Sequence, residues 1–399
     1  MLYNIPYMKI LIAADLYWPT FNGVAAFSRN LARGLAERGH EVLVIAPSQV
    51  GKKHREQDGQ YMIERTTSLP FPFYQNFRVS LTPQREVKKI ISSFQPDIIH
   101  IQMVMGIGRA TLQAGSKLHI PVVSTNHAMP ENLLDNFRML APFARPFNAV
   151  LESYGARFHS SADYVTTPTQ SAIEMFKHKV KGIQVPIEAV SNGINLSVFS
   201  PGEPLKRIYQ KYHLPTDMPI LLYVGRLDAE KHLSVLIRAS AKVLQKRPLH
   251  VLIVGDGNER EKLIALAREL GIYGNVTFTG RVSEEEKPEL YRIGTVFGMP
   301  SPAELQSIVT LEAMATGLPI IAVNAGALGE LCQDGQNGYL FKYDNDTMMA
   351  AAILKILKET TLRKKMSAKS LTIAKTHDIN YTLDRFEEIY KSLLTTKSA

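Results

Sequence analysis

Apolar positions along this chain fall into two kinds of run, and the two alternate. Short continuous blocks, "MKILIAAD", "HEVLVIAPS", "PDIIHIQ" and "PVVSTNH", are separated by longer stretches such as "VAAFSRNLARGLAERG", where apolar residues recur at helical spacing. Continuous apolar strands between amphipathic helices predict a parallel sheet covered on both faces. "ADYVTTPT" and "IEAVSNGI" complete this first sheet. From about Pro215 the rhythm restarts with "PILLYVGRL", "HLSVLIRASAKVLQK", "LHVLIVGDG", "REKLIALARELG", "VTFTGRV", "GTVFGMPS" and "PIIAVNA". The turn-rich "NGINLSVFSPGEP" marks the crossover near Asn195 to Pro204. The expected architecture is α/β, two doubly wound domains over residues 1–200 and 201–378, followed by a terminal segment 379–399. Ligands of such sheets bind outside the strand carboxyl ends, so a common cleft lined by both sets of ends is expected.

One stretch breaks the pattern. In "ELQSIVTLEAMATGLPI" the positions Ile308, Leu311, Ala315 and Leu318 predict a helix opening at Ser307 and ending at Gly317-Leu318-Pro319. Two carboxylates, Glu304 and Glu312, flank its start. In a continuous helix they would lie roughly 80° apart, on no single narrow stripe. Either both are solvated surface residues, or Glu304 approaches a ligand from the loop and Glu312 from the helix flank. In the second case the amides of Leu305, Gln306 and Ser307 are first-turn donors suited to an anion.

Composition narrows the possibilities. At 399 residues the chain is long for one core, which favours two domains. The single cysteine, Cys332, excludes an internal disulfide framework, fits a reducing compartment and reads as a packing residue. A formal charge of +9 calls for an anionic partner. The basic residues are scattered, with neither RNA-binding aromatic motifs nor zinc-finger spacing, so nucleic acid is not expected. No apolar run reaches the ~18 residues of a membrane span. The N-terminal "MLYNIPYMKILIAAD" lacks the features of a secretory signal and reads as a short extension into the first strand, with Met8 as an alternative start.

Candidate chemistry then follows from the strand ends. After the first strand, "ADLYWPTFNGVAAF" holds one useful glycine, Gly23, and no G-x-G-x-x-G; "GDG" at Gly255 to Gly257 has no third glycine in register and reads as a tight turn. Walker-type spacing is missing as well, so neither a dinucleotide cofactor nor P-loop chemistry is expected. Four stretches remain, each with a plain structural reading beside a functional one. Gly23 is a turn glycine, or lets a phosphate approach a helix N-terminus. His127 in "TNHAMPEN" is a hydrogen-bonded structural residue, or lines the cleft. Arg226 and Lys231 in "VGRLDAEKH" are solvated, or bracket a diphosphate as fork and point charge. Glu304 and Glu312 are the fourth. All four lie at the carboxyl ends of predicted strands, and that coincidence favours the functional readings.

The residues "NGVAAFSRNLARGLAERGHEV", "VSNGINLSVFSP", "YVGRLDAEKHLSVLIRA", "VGDGNEREKL", "FTGRV" and "SPAELQSIVTLEAMATGLPIIAVNAGALGEL" together resemble the retaining glycosyltransferases of family 4. The last contains their E-x7-E signature as Glu304 and Glu312. The resemblance implies the GT-B fold, two Rossmann-like domains facing a central cleft, with the final helix packing back on the N-terminal domain. It implies that Glu312 binds the ribose hydroxyls of a nucleotide sugar and Glu304 the hydroxyls of the transferred sugar. Leu305, Gln306 and Ser307 would hold sugar and phosphate through their amides, and Arg226 and Lys231 would neutralise the diphosphate. Gly23 would meet the diphosphate from the other domain, His127 the sugar's primary hydroxyl, and Val282 in "TGRV" would read the base through its backbone. No cofactor or essential metal is implied: fixed cations and helix amides take the place of Mg2+. "DND" at Asp344 to Asp346 looks like a metal-binding motif but suits a helix N-cap.

For the acceptor, "TNHAMPENL", "FNGV" and "AELQSIVTLEAMA" look most like the diacylglycerol glucosyltransferases and other glycolipid-making members. The expected reaction is hexose transfer, glucose from UDP-glucose, to a membrane lipid at the cytoplasmic face. "FRMLAPFARPF" and "MFKHKVKG" are candidate contacts with an anionic bilayer, or ordinary helix faces. A soluble sugar, sugar-phosphate or polysaccharide acceptor is the alternative, and non-catalytic sugar-nucleotide binding is the alternative of another class.

Overall fold

A computed structural model describes residues 7–20, 22–71, 77–127, 144–179 and 184–398. The chain forms two compact units, Met1–Asn192 with Asn380–Ala399, and Gly193–Ile379. The division falls at the start of the turn-rich crossover, after Asn192, rather than at 200/201. Ile194 already belongs to the second unit, because it donates to His377 O at 2.8 Å and accepts from Ile379 N at 3.0 Å. Ile194 and Phe199 are both buried in the second core.

In the first unit the strands are β1 (Lys9–Ala13), β2 (Glu41–Pro47), β3 (His54–Asp58), β4 (Tyr61–Thr66), β5 (Ser68–Pro70), β6 (Arg78–Ser80), β7 (Ile98–Ile101), β8 (Val122–Thr125), β9 (Tyr164–Thr167) and β10 (Ile187–Ala189). Eight of them form one sheet in the order β10-β9-β8-β7-β1-β2-β4-β3, and β5 pairs with β6. The apolar strands are parallel and buried, as continuous runs require. β3 is antiparallel to β4 and carries the polar "HREQD", an edge strand that apolar periodicity does not announce. The helix Gly23–Glu37 follows β1, with the Asn22 side chain accepting from Val24 N at 2.8 Å as its cap.

The C-terminal helix Ile379–Ser398 packs within this unit. A Cβ at Gly34 would lie 2.5 Å from Leu383, so the glycine lets the two helices close. Tyr390 OH meets His100 Nδ1 at 2.6 Å, and buried Glu387 binds Arg38 at 2.9 Å and His40 at 3.1 Å.

The second unit holds β11 (Ile220–Val224), β12 (His250–Val254), β13 (Val276–Gly280), β14 (Val296–Met299), β15 (Ile320–Val323) and β16 (Gly338–Phe341). They form a fully parallel sheet, ordered β13-β12-β11-β14-β15-β16. Counted within the unit this is 3-2-1-4-5-6, the doubly wound Rossmann order. Its topological switch point lies between β11 and β14, where successive crossovers leave for opposite sides and open a crevice at the carboxyl ends.

Candidate active site

The loop after β11 is shaped by glycines. A Cβ at Gly255 would fall 1.9 Å from Gly225 O, and one at Gly257 would fall 2.6 Å from the Leu227 backbone. The "GDG" pair therefore brings the turn after β12 against the turn after β11, which is a packing role. Tyr223 OH donates to Arg226 O at 2.9 Å and fixes the loop from below. The Arg226 guanidinium is held by Asp228 and Glu230. Lys231 closes the short turn Ala229–Lys231, and its ammonium lies 2.7 Å from Glu304 Oε1 and 3.5 Å from Glu230 Oε1. Burial works against the charged ammonium, but Glu304 and Glu230 outweigh it and raise the Lys231 pKa.

Across the switch point, the loop after β14 carries Glu304. Its carbonyl accepts from Ala327 N at 2.8 Å. Gly326, at φ +56°, sits where a Cβ would lie 2.6 Å from that carbonyl oxygen. The helix begins at Ile308 and ends at Ala315. Ser307 is its cap, with its hydroxyl accepting from Thr310 N at 3.4 Å. Leu305, Gln306 and Ser307 are buried, and Leu305 and Gln306 each already have an interaction partner within the protein.

Glu312 is inside the helix and only 3% exposed. It accepts from Lys287 Nζ on Oε1 and from Tyr291 OH on Oε2, both at 2.6 Å. Burial pushes its carboxyl pKa up while Lys287 and Tyr291 pull against it; burial opposes the Lys287 charge, and Glu312 and Glu284 raise it. Val282 follows the end of β13 and packs partly buried against the second core. Lys287 and Tyr291 were not singled out from sequence. Both lie on the helix Lys287–Ile293, in the stretch "SEEEKPELYRIG".

The first unit holds the other two candidates. Gly23 is the exposed first residue of its helix, and Asn22 already occupies one first-turn donor. His127, half-buried after β8, donates from Nε2 to Gln102 Oε1 at 2.8 Å, with Phe27 at 4.9 Å between ring centroids. Burial, with His159 adding to it, lowers its pKa to about 3. It is therefore a neutral imidazole at physiological pH, a hydrogen-bond donor rather than a general acid. Gln102 was missed, since a lone glutamine after a strand carries no signal.

Asp344 and Asp346 are taken up by Arg238 and Lys242, and Asn345 caps the helix Asp346–Lys358 by accepting from Met348 N at 2.9 Å. The N-cap reading of "DND" thus has a direct counterpart. Cys332 is buried with its pKa pushed up to about 12 by burial, the state of an inert packing thiol. Of the candidate bilayer contacts, Arg138 and Lys181 lie outside the described residues, as do the side chains of Arg145 and Lys179; Lys177 is exposed. No helix among the described residues is long and apolar enough to cross a membrane.

Two Rossmann-like units with parallel sheets define the GT-B class. The family model Glycosyltransferase Family 4 matches residues 21–198, and that of Glycosyl transferases group 1 matches residues 206–371. The chain belongs to glycosyltransferase family 4. It is 28% identical over 356 residues to an alpha-monoglucosyldiacylglycerol synthase of Streptococcus pneumoniae, covering 88% of this chain and 78% of that one. It is 27% identical over 404 aligned positions to a GDP-mannose-dependent alpha-mannosyltransferase of Mycolicibacterium smegmatis, covering 98% and 99%. Among solved structures, sucrose-phosphate synthase from Thermosynechococcus elongatus superposes with a TM-score of 0.81 at 20% identity, covering 98% of this chain and 100% of that one.

Proposed function

We propose that this chain transfers glucose from UDP-glucose to a membrane lipid such as diacylglycerol, with retention of configuration and without a dedicated metal. The observation that carries the reading is the Lys231–Glu304 pair at the β11/β14 switch point, 2.7 Å between charged groups. A cation for the leaving diphosphate and an acceptor for sugar hydroxyls stand side by side, one for each side of the bond that breaks. Arg226, held in place by Asp228 and Glu230, adds a second fixed cation. Such preorganised charge stabilises the diphosphate oxygen as negative charge develops there.

The acceptor hydroxyl attacks C1 on the face from which the diphosphate departs. The new C–O bond forms as the C1–phosphate oxygen bond breaks, and the hydroxyl proton passes to the leaving phosphate oxygen. Glu312 accepts the ribose hydroxyls, Val282 reads the base through its backbone, and Leu305, Gln306 and Ser307 line the sugar and phosphate. His127, neutral, hydrogen-bonds the sugar's primary hydroxyl, while Gly23 stays open to phosphate. The choice of glucose and a lipid follows the name of the Streptococcus pneumoniae relative. The protein then works as a peripheral partner of the anionic cytoplasmic membrane face.

The test is a donor panel of UDP-glucose, UDP-galactose and GDP-mannose, each incubated with diacylglycerol in anionic vesicles and with soluble sugars and sugar phosphates. Glucosyl-diacylglycerol with an α linkage is the expected product. Product only with soluble acceptors, or only from GDP-mannose, overturns the corresponding part of the proposal.

A further inference from the structure

Lys287 has no part in the chemistry above, yet its placement is specific. It is the first residue of the helix Lys287–Ile293, is 8% exposed, and donates to Glu312 Oε1 at 2.6 Å. Tyr291, one turn further along, donates to Glu312 Oε2 at 2.6 Å. One edge of one helix therefore engages both oxygens of the carboxylate. Lys287 is itself confined. Its ammonium lies 5.5 Å from the Phe199 ring centroid, Phe199 packs edge-on against Tyr291 at 5.8 Å, and Glu284 stands at 3.9 Å.

A carboxylic acid buried this deeply without a counter-charge takes up a proton near neutral pH. It then offers one donor and fewer acceptor sites, whereas an ionised carboxylate only accepts. A vicinal diol makes its strongest paired hydrogen bonds to the ionised form. Each Glu312 oxygen uses one acceptor site on this helix and keeps another.

We propose that Lys287 is a positioning residue of the donor site, holding Glu312 ionised and oriented so that the remaining acceptor sites meet the cis-diol of a ribose. The inference rests on the reading of Glu312 as the ribose acceptor. It also ties two functions to one element, because Lys287 follows Val282 by a short segment: the stretch that reads the base sets the ribose acceptor. The titratable groups facing Glu312 are Lys287, Tyr291 and Glu284, with Tyr223 beyond Tyr291. The selectivity that follows is for ribonucleoside over 2′-deoxyribonucleoside diphosphates.

Calorimetric titration of UDP and 2′-deoxy-UDP between pH 6 and 9 tests this, with the guanosine pair substituted if GDP is the nucleotide bound. Wild type should prefer UDP by at least about tenfold, the value of one charge-assisted hydrogen bond, with little pH dependence from 6 to 8. Lys287→Met should lose most of that preference at pH 7 and regain UDP affinity as the pH rises and Glu312 ionises. Lys287→Arg, which keeps the charge, should retain the preference. In a Glu312→Gln background, adding Lys287→Met should change nothing further; this double variant buries no unpaired charge and reports even where the single variant does not fold. Wild-type preference and a flat pH profile in Lys287→Met overturn the proposal, and so does a further loss in the double variant. If Glu312→Gln alone leaves the UDP to 2′-deoxy-UDP ratio unchanged, the ribose reading of Glu312 is what has failed.

Discussion

Lys231 and Glu304, 73 residues apart in sequence, meet at 2.7 Å across the switch point of the second sheet. The two side chains are 16% and 14% exposed, so the pair sits between a surface ion pair, worth under about 1 kcal/mol, and a fully buried one, whose breaking costs about 3–5 kcal/mol. Each group compensates the other's charge, and each loop is pinned by it. The same holds one turn deeper, where Lys287 compensates Glu312. Each glutamate of the E-x7-E signature thus comes with its own lysine, delivered by a different strand-to-helix connection.

Removing either cation of the first cluster should impair chemistry more than folding. Lys231→Ala and Arg226→Ala are each expected to lower turnover by at least about tenfold, as loss of one preorganised oxyanion donor does. Steady-state kinetics with the donor saturating reads this directly. Near-full kcat in both variants would dismiss the diphosphate assignment.

Glu304 is positioned through its backbone as well as its charge. Gly326→Ala places a Cβ 2.6 Å from Glu304 O and 3.0 Å from Pro302 O at a left-handed φ of +56°. The conformation alone costs about 1–2 kcal/mol for a residue with a Cβ, and the steric conflict must move the Glu304 loop. Lower thermal stability and lower kcat are expected together. Gly329→Ala, where the added Cβ meets nothing within 4 Å, is the matched control and should leave kcat near wild type.

What the sequence revealed here follows from the range of the interactions. The helix opening at Ser307, the N-cap in "DND" and the apolar strands are local, and periodicity and capping chemistry show them. The polar edge strand β3 escaped because it buries no continuous apolar run. Lys287 and Tyr291 escaped because their meaning depends on β13 and β14 lying on opposite sides of β11, an order that periodicity does not encode. The acid signature itself was legible only as spacing; that each carboxylate is neutralised by a lysine required the fold.

Chelation should leave turnover largely intact. Asp344 and Asp346 are engaged by Arg238 and Lys242, and these ion pairs would have to be broken before the carboxylates could serve a cation. Activity assayed with EDTA and then with added Mg2+ measures this. An absolute Mg2+ requirement would return these aspartates, or the donor phosphates themselves, to consideration as metal ligands.

Acid should destabilise the first unit through its buried histidines. Burial lowers the pKa of His100 to about 3 and of His159 to about 4, against about 6.5 in an unfolded chain. Above pH 6.5 both states are neutral and the full stability is present. Below it the unfolded state binds protons that the folded state refuses, so stability falls by up to about 1.4 kcal/mol per pH unit for each histidine. The loss should run from pH 6.5 down toward 4 for His159 and toward 3 for His100. His159→Asn should flatten the dependence of the unfolding midpoint on pH between 6.5 and 4.5, whatever its constant effect on stability. An unchanged slope would show that His159 is not the group that titrates.

The membrane prediction concerns the first unit, within whose chain segment the candidate bilayer contacts lie. If the acceptor is a bilayer lipid, binding to vesicles should rise with anionic lipid content. It should fall with salt, since each cation near the surface contributes about 1 kcal/mol and is screened beyond roughly 10 Å at 0.1 M ionic strength. Replacing Arg138, Arg145, Lys177, Lys179 and Lys181 together by Ser should lower vesicle binding while sparing nucleotide binding, which the proposed function assigns to the Arg226–Lys231 and Glu304–Glu312 stretches of the second unit. Vesicle sedimentation across a salt series, beside calorimetry with UDP, separates the two effects. If the wild type stays in the supernatant at low salt with anionic vesicles, no surface attraction delivers the lipid, and a soluble acceptor becomes the reading to pursue.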